Sequence, residues 1–384
     1  MKQERKEAKL RGIQCMQDQP EWWDPYSCQP YKMAKEDKPR SGLDNIVEYL
    51  KVTLSNLVAL PLIGLKTVLL RRKASAKTAQ EFVGLSLSMD LEYAPQIVEM
   101  VKDLGVQRLL LRIPSWDTQS LDDYVRFAEM FPDCHFVINI LQGRDSVEDL
   151  ARWKAQVDEI IQRTEHLSDT YWIGNAVNRT KWGCAHTGQA LDLQVAVEEL
   201  RDKYSGVNFL GSSIIDFEPL LSWRTLWNFK RYRIQGNAAL LYVNRRHSPY
   251  GTQYGVFDLE KKLRIAKAMT QLSNRCDDKL WITETNWPLL DTKPFTPNSG
   301  SPNRTCDEQT QADYLKLYYQ IAWQSGWVEG VYWWQLINPG YGLVDHRDGD
   351  LRKLPSYYAF KEIMQGELSN KPVRVENPYQ HESN

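Results

Sequence analysis

The sequence from Leu280 to Pro288 reads LWITETNWP. Four or five apolar or β-branched residues followed by a turn signal predict a short buried strand. Glu284 falls at the C-terminal end of this strand, which is where an α/β barrel carries its catalytic groups. A strand-end Glu can equally pair with an Arg or cap the next helix. Both interpretations stay open on this stretch alone.

The overall composition is that of a soluble globular protein. The 384 residues are enough for one large domain of roughly 250–300 residues and an appendage. Hydrophobic residues make up 42% and charged residues 25%, and the net charge of −1 gives no reason to expect a nucleic-acid partner. The 14 Trp and 19 Tyr favour either a packed core or a cleft in which flat rings stack on sugar faces.

The cysteines show no CxxC pair and no metal-ligand spacing. They are Cys15, Cys28, Cys134, Cys184, Cys276 and Cys306. Scattered cysteines of this kind predict free thiols in a reducing compartment, and we expect no zinc, no other metal and no cofactor.

Apolar segments alternate with helical patterns from residue 81 onward. The predicted strands lie at 82–88, 108–114, 135–141, 171–175, 208–216, 238–243, 280–284 and 330–336. The predicted helices lie near 92–104, 120–130, 146–162, 190–203, 222–231, 258–274, 308–325 and 355–365. This alternation predicts an α/β fold, a (β/α)8 TIM barrel over residues 81–366. A doubly wound sheet would require a Gly-rich first turn, but Ser88-Met89-Asp90 follows the first strand.

The remaining chain divides into three segments. Residues 1–44 mix charges, Pro and aromatics without periodicity, which predicts an irregular N-terminal arm held by its aromatics on the barrel or on a partner. Residues 45–80 predict an apolar, amphipathic helical segment with a basic flank. Residues 367–384 are a predicted C-terminal tail. Because the N-terminus is too charged for a signal peptide, we expect a cytoplasmic protein.

Segment 45–77 has two interpretations. The 14 residues between Lys51 and Lys66 would measure about 21 Å as helix, which is too short for a hydrocarbon core of about 30 Å. From Lys51 to Lys77 there are six basic residues and no acidic one. This pattern favours peripheral contact with an anionic membrane at its inner surface. The alternative is a helix packed on the barrel.

The C-terminal ends of barrel strands converge on one mouth. In this sequence they carry amides, aromatics and a few carboxylates, a set of side chains suited to a polyol, so we expect a saccharide ligand. The candidate substrate-binding residues are Arg112, Trp116, Asn175, Asn178, Arg179, His247, Tyr250, Trp287 and Trp334.

Three short motifs carry a family resemblance: ITET at 282–285, HSPY at 247–250 and YWWQ at 332–335. In their order over residues 81–364 they resemble the retaining glycoside hydrolases with a (β/α)8 barrel, the superfamily often called clan A. The resemblance implies that ITET holds the nucleophile, that HSPY is the His-x-x-Tyr loop supporting it, and that YWWQ supplies a sugar-stacking Trp. It implies hydrolysis of a glycosidic bond.

The chain departs from the family at the end of strand four. The family places its acid/base Glu directly after an Asn, whereas Asn175 is followed here by Ala176. Retaining hydrolysis needs two carboxyl groups about 5 Å apart, one to attack the anomeric carbon and one to protonate the leaving oxygen. Glu284 can be the first. Ala176 cannot be the second.

The neighbouring strand end offers two candidates for the missing acid. Asp216 and Glu218 are the other candidate catalytic residues, and a Glu held among aromatic rings can have the raised pKa that a proton donor requires. Alternatively, either carboxylate pairs with Arg179, Arg245 or Arg246.

Two functions from different classes follow. The first is a glycoside hydrolase with an atypical acid, serving the assembly or trimming of the cell's own surface glycans. Losing general acid catalysis costs about 10²–10⁴-fold, so a slow reaction is compatible with Ala176. The alternative is a disarmed barrel that binds a saccharide, or a polysaccharide-assembly partner, at a membrane surface.

Overall fold

A computed structural model describes residues 19–36, 38, 42–296 and 305–368 of the chain. Several sequence-based predictions lie outside the described residues. They concern Cys15, residues 1–18 of the arm, residues 369–384 of the tail and the side chain of Arg245.

Eight parallel strands close into a barrel in the order in which they follow one another in the sequence. Strands β1–β8 are Val83–Leu87, Arg108–Pro114, His135–Leu141, Thr170–Ile173, Asn208–Ile215, Gly236–Leu240, Leu280–Thr285 and Gly330–Trp333. Val331 of β8 pairs with Val83 of β1 and closes the ring. The predicted (β/α)8 TIM barrel is confirmed.

Ten α-helices accompany the barrel within the described ranges. Helices α1–α10 are Leu43–Leu69, Ala79–Phe82, Ala94–Leu104, Leu121–Glu129, Leu150–Thr164, Thr187–Glu198, Pro219–Leu226, Leu259–Leu272, Glu308–Ser325 and Pro355–Glu362. Helices alternate with the strands from α3 onward, so the sheet is covered on its outside. Strands β1 and β8 are buried along their whole length, which explains why they read as continuous apolar runs.

Strand β6 begins and ends earlier than predicted. It spans Gly236–Leu240, whereas the apolar run had predicted 238–243. Gly236 pairs with Leu210, and a Cβ there would come within 2.7 Å of the Trp281 ring and 2.8 Å of the Leu210 side chain. The glycine is therefore required by close packing inside the barrel. Because β6 ends at Leu240, Tyr242 follows the strand end directly.

The described part of the N-terminal arm is an ordered hairpin, unlike the irregular segment that was predicted. Trp23–Asp24 pairs antiparallel with Gln29–Pro30. The Trp23 ring packs edge-on against Trp116 and Trp182, with centroids 5.5 and 5.8 Å apart. These aromatic contacts hold the hairpin on the barrel.

Helix α1 packs against α7 and α8 through one stripe of residues. The stripe consists of Glu48, Val52, Asn56, Ala59 and Ile63, which recur every three or four positions as one helical face requires. Among the described residues, α1 is the one helix whose length and composition would allow it to cross a membrane. Its other face is exposed, so the helix is packed on the barrel on one side only.

Candidate active site

A cavity of about 810 Å³ opens where the C-terminal ends of the strands meet. The loops after β4, β5, β6 and β8 form its walls together with residues of β2 and β7 and the N-terminal hairpin. The lining residues used below are Asp24, Ser27, Gln29, Lys32, Arg112, Asn175, Ala176, Arg179, Lys181, Asp216, Glu218, Tyr242, Arg246, Glu284 and Trp334.

Glu284 is a buried carboxylate held by two donors from other strands. It belongs to β7 and is 7% exposed. Arg112 of β2 donates from Nη2 to its Oε2, and Tyr242 donates its hydroxyl to Oε1. Both carboxylate oxygens are thus paired, which fixes the orientation of the group.

The two donors are themselves fixed by aromatic contacts. The guanidinium of Arg112 lies 3.4 Å from the centre of the Trp334 ring, and that of Arg246 lies 3.2 Å from the centre of the Tyr242 ring. Burial raises the pKa of Tyr242 well above its ordinary value, so the phenol keeps its proton and stays a donor to Glu284.

Asp216 and Glu218 form a second charged group on the cavity wall. Arg179 donates to Asp216 Oδ2 over 2.7 Å and to Glu218 Oε1 over 2.5 Å. The side chains of this group are about one third to one half exposed. A nearby Arg favours the ionised form of a carboxyl group, whereas a general acid must carry a proton. The pairing with Arg179 is the alternative that the sequence had left open for both carboxylates.

The end of β4 presents an amide and a methyl group to the cavity. Asn175 is 1% exposed, and its side-chain oxygen has no hydrogen-bond partner among the described residues. Ala176 is fully buried beside Trp172 and Trp182 in one apolar cluster. An orphaned amide oxygen in a cavity wall is a position where a ligand donor can bind.

Five cavity residues adopt left-handed backbone conformations that non-glycine residues rarely use. They are Cys28, Ala176, Asp216, Arg246 and Tyr254, with φ of +51°, +45°, +64°, +61° and +54°. Ala176, Asp216 and Arg246 follow the consecutive strands β4, β5 and β6. Such conformations cost about 1–3 kcal/mol each and cluster at functional sites. Their placement supports this mouth as the functional site of the barrel.

The hairpin contributes its own polar groups to the cavity. Lys181 of the β4 loop donates to Gln29 Oε1 across the cavity. Burial lowers the pKa of Lys181 to about 8, with the charges of Glu284 and Asp24 acting in the opposite direction. Burial likewise raises the pKa of Asp24, whose Oδ2 accepts from Ser27 Oγ over 2.5 Å. The mouth is therefore partly closed by a segment outside the barrel.

Five predicted binding residues lie outside the cavity lining: Trp116, Asn178, His247, Tyr250 and Trp287. Two of them support the walls. Trp116 packs edge-on against Trp22 of the hairpin at 4.9 Å. Asn178 bonds both the N–H and the carbonyl of Ile215 at 3.0 Å, which clamps the β4 loop to β5.

The other three lie behind or beside the mouth. Trp287 is fully buried and stacks on Trp333 with ring centroids 6.0 Å apart. Its indole N–H donates to the carbonyl of His247 over 3.0 Å. Tyr250 is 46% exposed. The Trp287 ring is packed in the core and does not line the cavity. Contact of a substrate with His247 and Tyr250 stays a prediction.

The structure adds functional candidates that the sequence interpretation did not select. Tyr242 was hidden by the expected bounds of β6. Lys181 and Arg246 stood among the strand-end residues but lacked a distinguishing pattern. The hairpin residues belong to no sequence motif. The pair Trp22-Trp23 is the one signal that this segment packs against the rest of the protein, because two adjacent large aromatic rings favour burial.

The described residues contain no group of His, Cys, Asp or Glu that could hold a metal ion. The described cysteines are free thiols: Cys28, Cys134, Cys184, Cys276 and Cys306.

Comparison with known proteins addresses the fold. No protein-family model matches the sequence, and no curated protein does. Among solved structures, a family 39 glycoside hydrolase from the gut symbiont Bacteroides cellulosilyticus has a TM-score of 0.57 and 12% identity. The match covers 76% of this chain and 65% of that one. This chain and that glycoside hydrolase share the (β/α)8 barrel fold.

Two further solved structures share this barrel. The virulence factor SghA from Agrobacterium tumefaciens matches with a TM-score of 0.53 and 10% identity, over 76% of this chain and 98% of its own. The protein ZgEngAGH5_4 matches with a TM-score of 0.50 and 12% identity, over 74% and 96%. At these identities the likeness shows the fold and leaves the reaction to be argued from the site.

Proposed function

We propose that the protein acts on a glycosidic bond of a saccharide bound in the mouth cavity, with Glu284 as the nucleophile. The observation that carries the proposal is the paired carboxylate of Glu284 at the end of β7. Arg112 and Tyr242 each donate to one of its oxygens and orient it within the cavity. A nucleophilic carboxylate must be held in a fixed orientation, and these contacts supply that condition.

The ligand of this proposal carries an acidic substituent. Arg246 and Lys181 line the cavity, and neither forms an ion pair with another described residue. The exposed Lys32 lies at the same wall. Cations without carboxylate partners in a concave site favour an anionic ligand. The orphaned oxygen of Asn175 can accept a sugar hydroxyl.

The proton donor is the weakest element of the hydrolase proposal. Glu218 lines the cavity and is the proposed substitute acid, with Asp216 beside it. Both are paired with Arg179, so a glycosidic oxygen must compete with the guanidinium for contact with them. We therefore expect slow hydrolysis of alkyl glycosides. Substrates with a good leaving group need little protonation and should react much faster.

The test compares 2,4-dinitrophenyl and methyl glycosides of neutral sugars and of uronic acids. We expect turnover of a dinitrophenyl uronide, with loss of at least about 10³-fold in E284Q, because the amide cannot attack. E218Q is the matched control at the half-exposed carboxylate. It should lower the rate on the methyl glycoside more than the rate on the dinitrophenyl glycoside. Equal activity of E284Q and wild type would remove Glu284 from the mechanism.

A disarmed saccharide-binding protein is the second candidate function. The specific observation in its favour is that Asp216, Glu218 and Glu284 all have Arg partners. The sequence resemblance, in addition, implies an acid/base Glu at the position of Ala176. Isothermal titration with uronic acid oligosaccharides separates the two. Binding by the wild type without turnover of any dinitrophenyl glycoside would favour this candidate. In either case, a role in glycans of the cell's own surface is part of the proposal and depends on where the protein resides.

A further inference from the structure

We propose that helix α1 lies in the surface of an anionic membrane, with its outward face inserted among the lipids. The outward side chains that are more than 45% exposed are Leu43, Ile46, Val47, Tyr49, Leu50, Leu54, Leu57, Val58, Leu60, Leu62, Leu65, Val68 and Leu69. We call this set the apolar face of α1. Its members occur in every turn of the helix on the side away from the barrel, so they form one continuous surface.

The polarity of α1 is inverted relative to a helix that faces water. Its barrel side carries Glu48, which accepts from Arg224 Nη2 over 3.1 Å and from Thr187 Oγ1 over 2.9 Å. On the same side, Asn56 donates to the carbonyl of Leu220 over 3.0 Å. Leu and Val side chains point outward instead. A helix covered by water on its outer side would place these groups the other way round.

Neighbouring segments extend this surface. Leu220, in the first turn of α7, is 49% exposed and accepts the bond from Asn56. Phe229 is 84% exposed, and its ring lies 5.2 Å from that of Trp227, which packs on the cluster containing Ala59. The apolar surface is therefore wider than one helix, as insertion into a lipid interface requires.

The charges around the apolar face favour anionic lipid. No acidic residue occurs between positions 49 and 77. Lys66, Arg71 and Lys73 form no ion pair with another described residue, while Arg72 is paired with Glu260. Unpaired cations beside an inserted apolar face bind anionic headgroups.

The contacts of α1 also set its orientation. Glu48 and Arg224 are buried together, with side chains 6% and 8% exposed. A helix that left the barrel to cross the bilayer would separate this pair, and breaking a buried ion pair is strongly unfavourable. The helix therefore lies parallel to the membrane plane with the barrel above it. This placement brings the protein to the membrane as a peripheral component.

The experiment uses the full chain and sedimentation with vesicles of phosphatidylcholine, with or without phosphatidylglycerol. We expect binding to the anionic vesicles that weakens with salt. The triple variant L54Q/L57Q/V58Q should bind about tenfold or more weakly, and R71E/K73E should lose a similar factor on anionic vesicles alone. L290Q, at a 50% exposed leucine remote in sequence, is the control and should bind as wild type does.

Three outcomes would overturn the proposal. One is equal binding by the triple variant and wild type. Another is a wild-type dimer in light scattering together with a monomeric triple variant, because a second copy of the chain would then cover the apolar face. The third is failure of alkaline carbonate to extract the bound protein from the vesicles. Carbonate releases a protein held by a peripheral helix, whereas a protein with a membrane-spanning helix stays in the membrane. Circular dichroism of each variant checks that the fold is retained.

Discussion

The mouth of the barrel holds two charged groups of the same chemistry in different surroundings. Glu284 and Arg112 are each 9% exposed as side chains, and Tyr242 completes their contacts. Asp216 and Glu218 share one Arg, and their side chains are 46% and 32% exposed. Water screens the second group, whereas the first depends wholly on its partners. An ion pair seen at a site therefore says little until its burial is known.

The comparison predicts a large difference in stability between two Arg substitutions. R112M leaves Glu284 buried without its cation, so we expect a loss of about 3–5 kcal/mol in the free energy of unfolding. R179M leaves carboxylates that water can solvate, and its loss should be about 1 kcal/mol or less. Urea denaturation of both variants measures the difference.

The double variant R112M/E284Q serves as the control for this prediction. Removing the charge of Glu284 should recover a large part of the stability that R112M loses, because no uncompensated carboxylate remains. If R112M and R179M were equally stable, the buried pair would contribute no more to the free energy of unfolding than the exposed one. Glu284 would then be more hydrated than its 7% exposure implies.

Placing a Glu at position 176 should destabilise the fold. Ala176 is fully buried with φ of +45°, and its carbonyl accepts the N–H of Arg179 over 2.9 Å. A longer side chain must displace packed neighbours in a strained conformation, so we expect A176E to lose about 1–3 kcal/mol. A176G, which suits a positive φ, should lie close to wild type. Thermal unfolding of both variants is the measurement.

The same variants probe the function. A protein that is merely a disarmed hydrolase should gain activity in A176E if it tolerates the change. We expect instead that the displaced loop disturbs Arg179 and Lys181, so that activity does not appear. A folded A176E with wild-type stability and new hydrolysis would show that position 176 can hold an acid and that the rest of the site was complete.

Much of the fold followed from local patterns in the sequence. Apolar runs of five to eight residues between helical patterns predicted all eight strands, because both faces of each strand are covered. Glu284 was found because a barrel brings its strand ends to one mouth. The pairing of Asp216 and Glu218 with Arg179 was one of two stated alternatives. These features depend on chain neighbours or on the topology.

The features that escaped prediction depend on contacts between distant residues. The register of β6 is set by the packing of Gly236 on Trp281, and Tyr242 reaches Glu284 only because of that register. The hairpin closes over the mouth through Trp23 and Trp182, which lie far apart in the sequence. No local periodicity encodes such contacts, so a single sequence cannot reveal them.

The smallest predicted effect concerns pH and Lys181. Its pKa is about 8 in the folded protein and 10.5 ordinarily, because burial disfavours its charge. Between these values the unfolded chain binds more protons, so stability of the wild type should rise with pH relative to K181M. The slope is at most about 1.4 kcal/mol per pH unit. Lys262, whose pKa is also lowered to about 8, is present in both proteins and cancels.

The affinity for an acidic ligand should fall as Lys181 loses its proton, whereas the stability of the protein rises. Above about pH 8 the folded protein loses the charge of Lys181, so an acidic saccharide should bind more weakly to the wild type, while K181M should bind it with little change across this range. Arg246 keeps its charge there and limits the decrease to a few-fold. Titration of a uronic acid oligosaccharide at about pH 7 and 9 measures both proteins. Parallel pH profiles would mean that Lys181 serves the hairpin through Gln29 and takes no part in binding the ligand.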